Sequence, residues 1–324
     1  MIYGNRFLNY SAYNELVIET ELYNINKLTE PFDIVNESAV DIFKKIVSKA
    51  KEALAKIIDL ISKVFKKMIP KLYDALQKLV NKLRGSDSPL NKAKITEDKT
   101  ITYYTWTDTY HKYVDAISNY CDLIDKHYSI ICNIYTYSDA SKELVQAQES
   151  KKKIDELNEK IINISGISST SSISDFENKM IAKNEEVISS GASSMDILHS
   201  VAKIDALIFD VKQSISNVNE FGNWVNKIKD DVDDLVKLES SKAFNKAMTN
   251  NQTLVIGDDS YGDTKLLQAI GLQEITRTSI RHFSNLSHIL NLYLKNNLQA
   301  YKSVCGLIKD PEQYKEYVNQ LYFR

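Results

Sequence analysis

The chain has 324 residues, of which 43% are apolar and 26% are charged, with a net charge of −2, which is an ordinary composition for a globular protein. Nine glycines and four prolines are well below the average usage of about 7% and about 5%. Because tight turns depend on these two residues, the composition disfavours a β-sandwich or an α/β enzyme and favours a few long helices.

Cysteine usage and the N-terminus indicate a reducing, aqueous setting. The three cysteines, Cys121, Cys132 and Cys305, lack CxxC spacing, which argues against a disulfide framework and against a zinc site. We expect Cys121 and Cys132 to be buried, reduced thiols. Residues 1–10 lack the basic start and continuous apolar stretch of a signal peptide, and no apolar run approaches the roughly 20 residues of a transmembrane helix.

The first predicted elements are two helices. An acidic helix is predicted for residues 10–28 and ends before Pro31. A long helix is predicted for residues 36–84, with a kink at Pro70, where the apolar repeat slips by one residue. Residues 86–100 are the predicted linker. The apolar heptad positions before the kink are Phe43, Val47, Ala50, Leu54, Ile57, Ile61, Val64 and Met68.

The rest of the chain is predicted to be helical as well. We expect one helical run over residues 104–164, capped by Thr107 or Asp108, then a short helix from about Asp175 to Ile188. A longer apolar stripe covers residues 197–235, and a last long helix spans about residues 264–304. The first of these runs carries two interleaved heptad lines, which are Trp106, Tyr113, Tyr120, His127 and Ile134, and Tyr110, Ile117, Ile124 and Ile131.

These elements predict an all-α fold, an elongated bundle of long antiparallel, coiled-coil-like helices with a kinked amphipathic helix at the N-terminus. The predicted organisation is an acidic N-terminal segment over residues 1–35, a basic amphipathic helix over 36–85, a linker over 86–100 and a helical bundle over 101–324.

No motif indicates catalysis. The loop at residues 257–263 lacks the ligand spacing of a calcium loop, and the five histidines form neither HExxH nor HxH. The tyrosines between Tyr103 and Tyr137 fall on heptad lines and are expected in helix interfaces. We therefore expect no enzyme activity, no cofactor, no metal site and no small-molecule substrate.

Residues 41–84 differ from the rest of the chain in their charge. They carry twelve basic and four acidic side chains, a net charge of +8, whereas residues 1–40 carry −4 and the remainder carries −6. One apolar face opposite many lysines fits a bundle helix with a solvated basic face. It also fits an interfacial membrane helix that inserts residues 41–84 or a phosphate-binding surface for DNA. The lysines of this candidate surface are Lys44, Lys45, Lys49, Lys51, Lys56, Lys63, Lys66, Lys67, Lys71, Lys78 and Lys82.

The first 85 residues resemble internal or structural virion proteins of large tailed bacteriophages. The resemblance rests on the start Gly4-Asn5-Arg6-Phe7-Leu8, an acidic helix, the tripeptide Leu28-Thr29-Glu30 and the lysine-rich helix that follows. It implies a non-enzymatic protein packaged near DNA in a virion, or present in the host cytoplasm, with cleavage after Glu30 by a head-maturation protease. The acidic body from residue 85 onward argues against coating of DNA by the whole chain.

The partner remains open between several classes. A protein partner or self-association is expected, and DNA or a membrane surface would meet the chain through residues 41–84. A third alternative, an intracellular binder or inhibitor of a host protein, has no specific support in the sequence.

Overall fold

A computed structural model describes residues 39–62, 98–136, 141–167, 173–191, 204–239 and 271–305, together with positions 66, 67, 70, 73, 74, 77 and 81. These residues form six helices and one two-stranded antiparallel sheet. The elements are α1 (Ala39–Leu60), β1 (Lys99–Trp106), α2 (Asp108–Thr136), α3 (Ser141–Ser165), α4 (Ile173–Met180), β2 (Ile181–Ile188), α5 (Ile204–Glu239) and α6 (Leu272–Cys305). The predicted helical character is confirmed for this part of the chain.

The sheet corrects the prediction in three places. β1 pairs with β2 from Lys99 opposite Ile188 to Trp106 opposite Ile181. The helical run predicted from residue 104 is therefore wrong for residues 104–106, and the short helix predicted to Ile188 is wrong from Ile181 onward. The strand also begins at Lys99, inside the segment assigned to the linker. In β2, pairing with the distant strand β1 overrides a weak local strand propensity.

The turn from β1 into α2 is fixed by Thr107. The backbone N–H of Tyr110 donates to Thr107 Oγ1 over 3.3 Å, so Thr107 is the N-cap of α2, as one of the two predicted candidates. The same hydroxyl donates to the carbonyl of Lys179, and the Thr107 N–H donates to the carbonyl of Met180 over 3.1 Å. One residue thus joins the start of α2 to the junction of α4 and β2.

The core lies where α2 meets α3 and α5. Both predicted heptad lines of α2 are buried, with Tyr110, Ile117, Ile124 and Ile131 at 0% exposure and His127 also at 0%. Trp106 stacks between Tyr110 and Tyr293, with ring centroids 3.7 and 3.8 Å apart, and so ties β1 to α2 and α6. The predicted role of the tyrosines in packing is confirmed for these described residues.

The helical run predicted over residues 104–164 contains two helices, α2 and α3. α2 and α3, separated by residues 137–140, pack extensively against each other, so the chain reverses between them. α5 carries the predicted long stripe, and its Phe221, Val225, Ile228 and Val232 are at most 2% exposed.

Several predicted elements lie outside the described residues. They are the acidic N-terminal helix, the start of the long stripe at residues 197–203, the loop at residues 257–263 and residues 264–270 at the start of the last long helix. Pro70 itself is helical, but the residues on both sides of it are outside the described part, so the kink stays a prediction.

Candidate interaction surface

The basic helix α1 buries its apolar face inside the molecule. The predicted heptad positions Ala50, Leu54, Ile57 and Ile61 are at most 2% exposed, and Val47 is 3% exposed. This face packs against α5 and α6. Burying a leucine or isoleucine side chain stabilises a fold by about 1.5–3 kcal/mol, so the apolar stripe has a structural role in this arrangement.

The lysines of the same helix lie on its outer side. Lys44, Lys45 and Lys51 are exposed, and Lys49 and Lys56 are half-buried. Beyond the helix, Lys66 and Lys67 are exposed too. Lys63, Lys71, Lys78 and Lys82 lie outside the described residues, as does Glu30 of the expected cleavage site. We call the lysines on the outer side of residues 44–67 the basic face.

Part of the basic face is neutralised within the molecule. Lys51 Nζ lies 2.8 Å from Asp233 Oδ1 on α5, and Lys56 Nζ lies 3.1 Å from Glu52 Oε1 on its own helix. The Lys51 ammonium, with Lys229 beside it, lowers the pKa of the Asp233 carboxyl below its usual value. The sequence does not indicate Asp233 as the partner of Lys51, because only the tertiary contact between α1 and α5 brings Asp233 near the basic helix.

The contact between the basic segment and α5 continues beyond Leu60. A methyl group placed on Gly222 would lie 3.6 Å from Ile61 Cγ2 and 3.6 Å from Lys66 Nζ. Ile61 and Ser62 continue α1 in π-helical geometry. These are ordinary van der Waals distances, so α5 contacts this end of the basic segment and an alanine at position 222 would fit without strain.

The positive charge is concentrated towards the C-terminal half of the basic segment. Residues 39–60 carry five lysines and three acidic residues, a net charge of +2. Residues 61–84 carry seven basic residues and one acidic residue, a net charge of +6. Lys66 and Lys67 are the described members of this strongly basic half, and both face solvent.

Two buried polar side chains of the core, His282 of α6 and Tyr128 of α2, have partners on other helices. His282 is 4% exposed, its Nε2 lies 2.9 Å from Asn158 Oδ1, and burial lowers its pKa to about 3, so the ring is neutral. Tyr128 Oη lies 2.8 Å from Thr276 Oγ1. These side chains hold helices together, and their burial keeps them from a substrate in solution.

One carboxyl group in the α2–α5 interface has an unusual electrostatic environment. Asp231 is half-buried, and burial raises its pKa to about 7, with Asp125 of α2 adding to the shift and Lys227 opposing it. Lys227 Nζ lies 2.8 Å from Asp125 Oδ2. The cysteines near this interface are reduced, since Cys121 is buried and Cys132 is half-buried, and both are free.

No group of three or more histidine, cysteine, aspartate or glutamate side chains in the described ranges is placed to hold a metal ion. None of the helices in the described part has the length and apolar character needed to cross a membrane.

Comparison with known proteins gives no relative. No family model matches the chain, and no curated protein and no solved structure matches it.

Proposed function

We propose that this chain is a non-enzymatic structural protein, namely an internal or structural virion protein of a tailed bacteriophage, that acts through its basic face. The observation that carries the proposal is the orientation of α1. Its apolar side chains are buried against α5 and α6, and its lysines are left on the outside together with Lys66 and Lys67. A helix held in this way presents cations without having to unfold.

We propose DNA as the polyanion that meets this face. Lysines on one side of a helix neutralise phosphates and release counterions, which makes binding steeply dependent on salt. The net charge of +6 over residues 61–84 is large enough for this effect, whereas the −6 of the body restricts the contact to one part of the chain.

The membrane alternative requires a different state of the molecule. Insertion of residues 41–84 would have to withdraw Leu54, Ile57 and their neighbours from α5 and α6, and this would expose the apolar surface of those helices. The arrangement of α1 therefore favours a polyanion bound at the surface over insertion into lipid.

We further propose that the four long helices α2, α3, α5 and α6 form an elongated, antiparallel coiled-coil-like bundle. The burial of the heptad positions on α2 and α5 supports this packing. Small-angle scattering would test it, because an elongated bundle has a larger radius of gyration than a compact domain of the same length.

A salt titration with matched variants tests DNA binding. Lys66→Gln/Lys67→Gln removes two charges from the basic face, and Lys152→Gln/Lys153→Gln removes two exposed charges from α3. We expect the first variant to lower affinity and reduce the slope of log K against log salt by about 1.8. The second variant should bind like the wild type. Equal behaviour of the two variants, or no binding at low salt, contradicts the proposal.

The virion assignment has its own test. Mass spectrometry of purified phage particles should find the chain, with an N-terminus at Pro31 if cleavage follows Glu30. Absence of the chain from the particles contradicts the virion assignment, whatever the result with DNA.

A further inference from the structure

The two strands of the sheet differ in the elements that pack against them. β1 packs against α5 and α6, whereas β2 packs against β1 and α4. Within the described ranges the sheet has only these two strands, so the far edge of β2 has no neighbouring strand there. An open edge of this kind can accept a further strand through main-chain hydrogen bonds.

The solvent-facing side of β2 carries a charge pair. Lys183 and Glu185 are two residues apart and so point to the same face of the strand. Their side chains are 57% and 52% exposed, with Lys183 Nζ 2.5 Å from Glu185 Oε1. Val187, the next residue on this face, is 60% exposed. In the described part this face of β2 is thus open to a partner.

We propose that β2 pairs with β2 of a second copy of this chain, in antiparallel orientation, to form a continuous four-stranded sheet. Self-pairing about a twofold axis fixes the register by one residue that faces its own copy. With Asn184 opposite the partner's Asn184, Lys183 of each copy lies opposite the partner's Glu185. Two opposite-charge pairs then form across the new edge.

The neighbouring registers are disfavoured by charge. A shift that keeps the same faces together places either Lys183 opposite the partner's Lys183 or Glu185 opposite the partner's Glu185. Like charges directly opposite each other destabilise a strand pair. A shift by a single residue would place the solvent-facing side chains of one copy on the same side of the sheet as the inward-facing side chains of the other. Among these neighbouring registers, the charge pattern favours the one with Asn184 opposite the partner's Asn184, for which a second copy of the same strand is the complementary partner.

The proposal goes beyond the proposed binding of DNA and does not depend on it. A contact made by one eight-residue strand is at the small end of protein interfaces, so we expect a dissociation constant in the micromolar range. Sedimentation velocity of the full chain from about 1 to about 100 μM covers that range. The wild type is expected to change from monomer to dimer over it.

Charge variants test the register. Lys183→Glu places two glutamates opposite two glutamates, and Glu185→Lys places two lysines opposite two lysines. Each single variant should raise the dimer dissociation constant by about tenfold or more. The double variant Lys183→Glu/Glu185→Lys restores opposite charges and should dimerise like the wild type.

Mixing the two single variants gives the decisive result. A Lys183→Glu chain is complementary to a Glu185→Lys chain, so the equimolar mixture should form a heterodimer although neither variant dimerises well alone. All substitutions are at exposed positions, and circular dichroism checks that each variant is folded. A monomeric wild type, a dimer that the single variants leave unchanged, or a mixture that stays monomeric would overturn the proposal.

Discussion

Lys51 on α1 and Asp233 on α5 form an ion pair, with Nζ and Oδ1 2.8 Å apart. Lys229 approaches the other oxygen of the same carboxylate, at 3.1 Å from Oδ2. The pair joins the basic helix to the acidic end of α5, but the Lys51 side chain is 51% exposed. Exposed pairs of this kind contribute about 0–1 kcal/mol, so the apolar face has to hold α1 in place.

The first prediction compares these two contributions. Leu54 is 1% exposed, and Leu54→Ala is expected to lower the free energy of unfolding by about 2–5 kcal/mol through lost burial and the cavity that remains. Lys51→Ala should lower it by less than about 1 kcal/mol. Urea denaturation followed by circular dichroism measures both. A larger loss from Lys51→Ala than from Leu54→Ala would show that the ion pair anchors the helix.

The second prediction concerns the N-cap of α2. Thr107→Ala removes the acceptor for the Tyr110 N–H and the hydroxyl that donates to Lys179, and is expected to cost about 1–2 kcal/mol of stability. Thr107→Ser keeps the hydroxyl and should stay within about 0.5 kcal/mol of the wild type. Thermal unfolding of the three proteins checks the order. Equal losses from alanine and serine would mean that the threonine methyl group, and not the hydroxyl, stabilises this junction.

Sequence patterns predicted the helices well because a helix interface repeats locally. Every third or fourth residue of α2 and α5 meets the core, so Tyr110, Ile117 and Phe221 could be assigned to it from spacing alone. The same spacing identified the apolar face of α1. That face is buried, as required if residues 41–84 are a bundle helix with a solvated basic face.

The sequence does not indicate the two strands, for a different reason in each. β1 is rich in threonine and tyrosine, which favour strands, but Trp106 lies seven residues before Tyr113 and so continues the heptad line of α2, a pattern that indicates a helix. β2, with Ala182, Asn184 and two glutamates, has weak strand propensity and is held by its pairing with β1. That pairing joins segments far apart in the chain, as does the contact between Lys51 and Asp233, and neither leaves a local pattern in the sequence.

The third prediction concerns thiol reactivity. Burial raises the pKa of the Cys121 thiol far above its usual value and that of Cys132 to about 11. Because the thiolate is the reactive form, Cys132 should react with a disulfide reagent at pH 8 about 100-fold more slowly than a free thiol, and Cys121 only when the protein unfolds. A Cys305→Ser background restricts the measurement to these two residues. Labelling of Cys121 at the rate of a free thiol would contradict its burial in the α2–α5 interface.

The last prediction is a pH dependence of stability that originates at Asp231. Its pKa is about 7 in the folded protein and about 3.9 in an unfolded chain, so between these values the folded state binds more protons. The free energy of unfolding should therefore fall as pH rises from 4 through 7. Because Asp231 is half-buried and water screens its charge, we expect a loss of about 1–2 kcal/mol between pH 5 and pH 8 from this group.

Asp231→Asn isolates that contribution, because asparagine does not ionise. His282 has an effect of opposite sign, since burial lowers its pKa to about 3 and its contribution to stability rises with pH. The two effects overlap in the wild type, but the difference between wild type and Asp231→Asn cancels the histidine. Urea denaturation at pH 5 and pH 8 should show Asp231→Asn gaining stability relative to wild type at the higher pH. Asp115→Asn, at an exposed position of α2, serves as the control and should follow the wild type. A constant difference between wild type and Asp231→Asn at both pH values would mean that Asp231 is already ionised at pH 5.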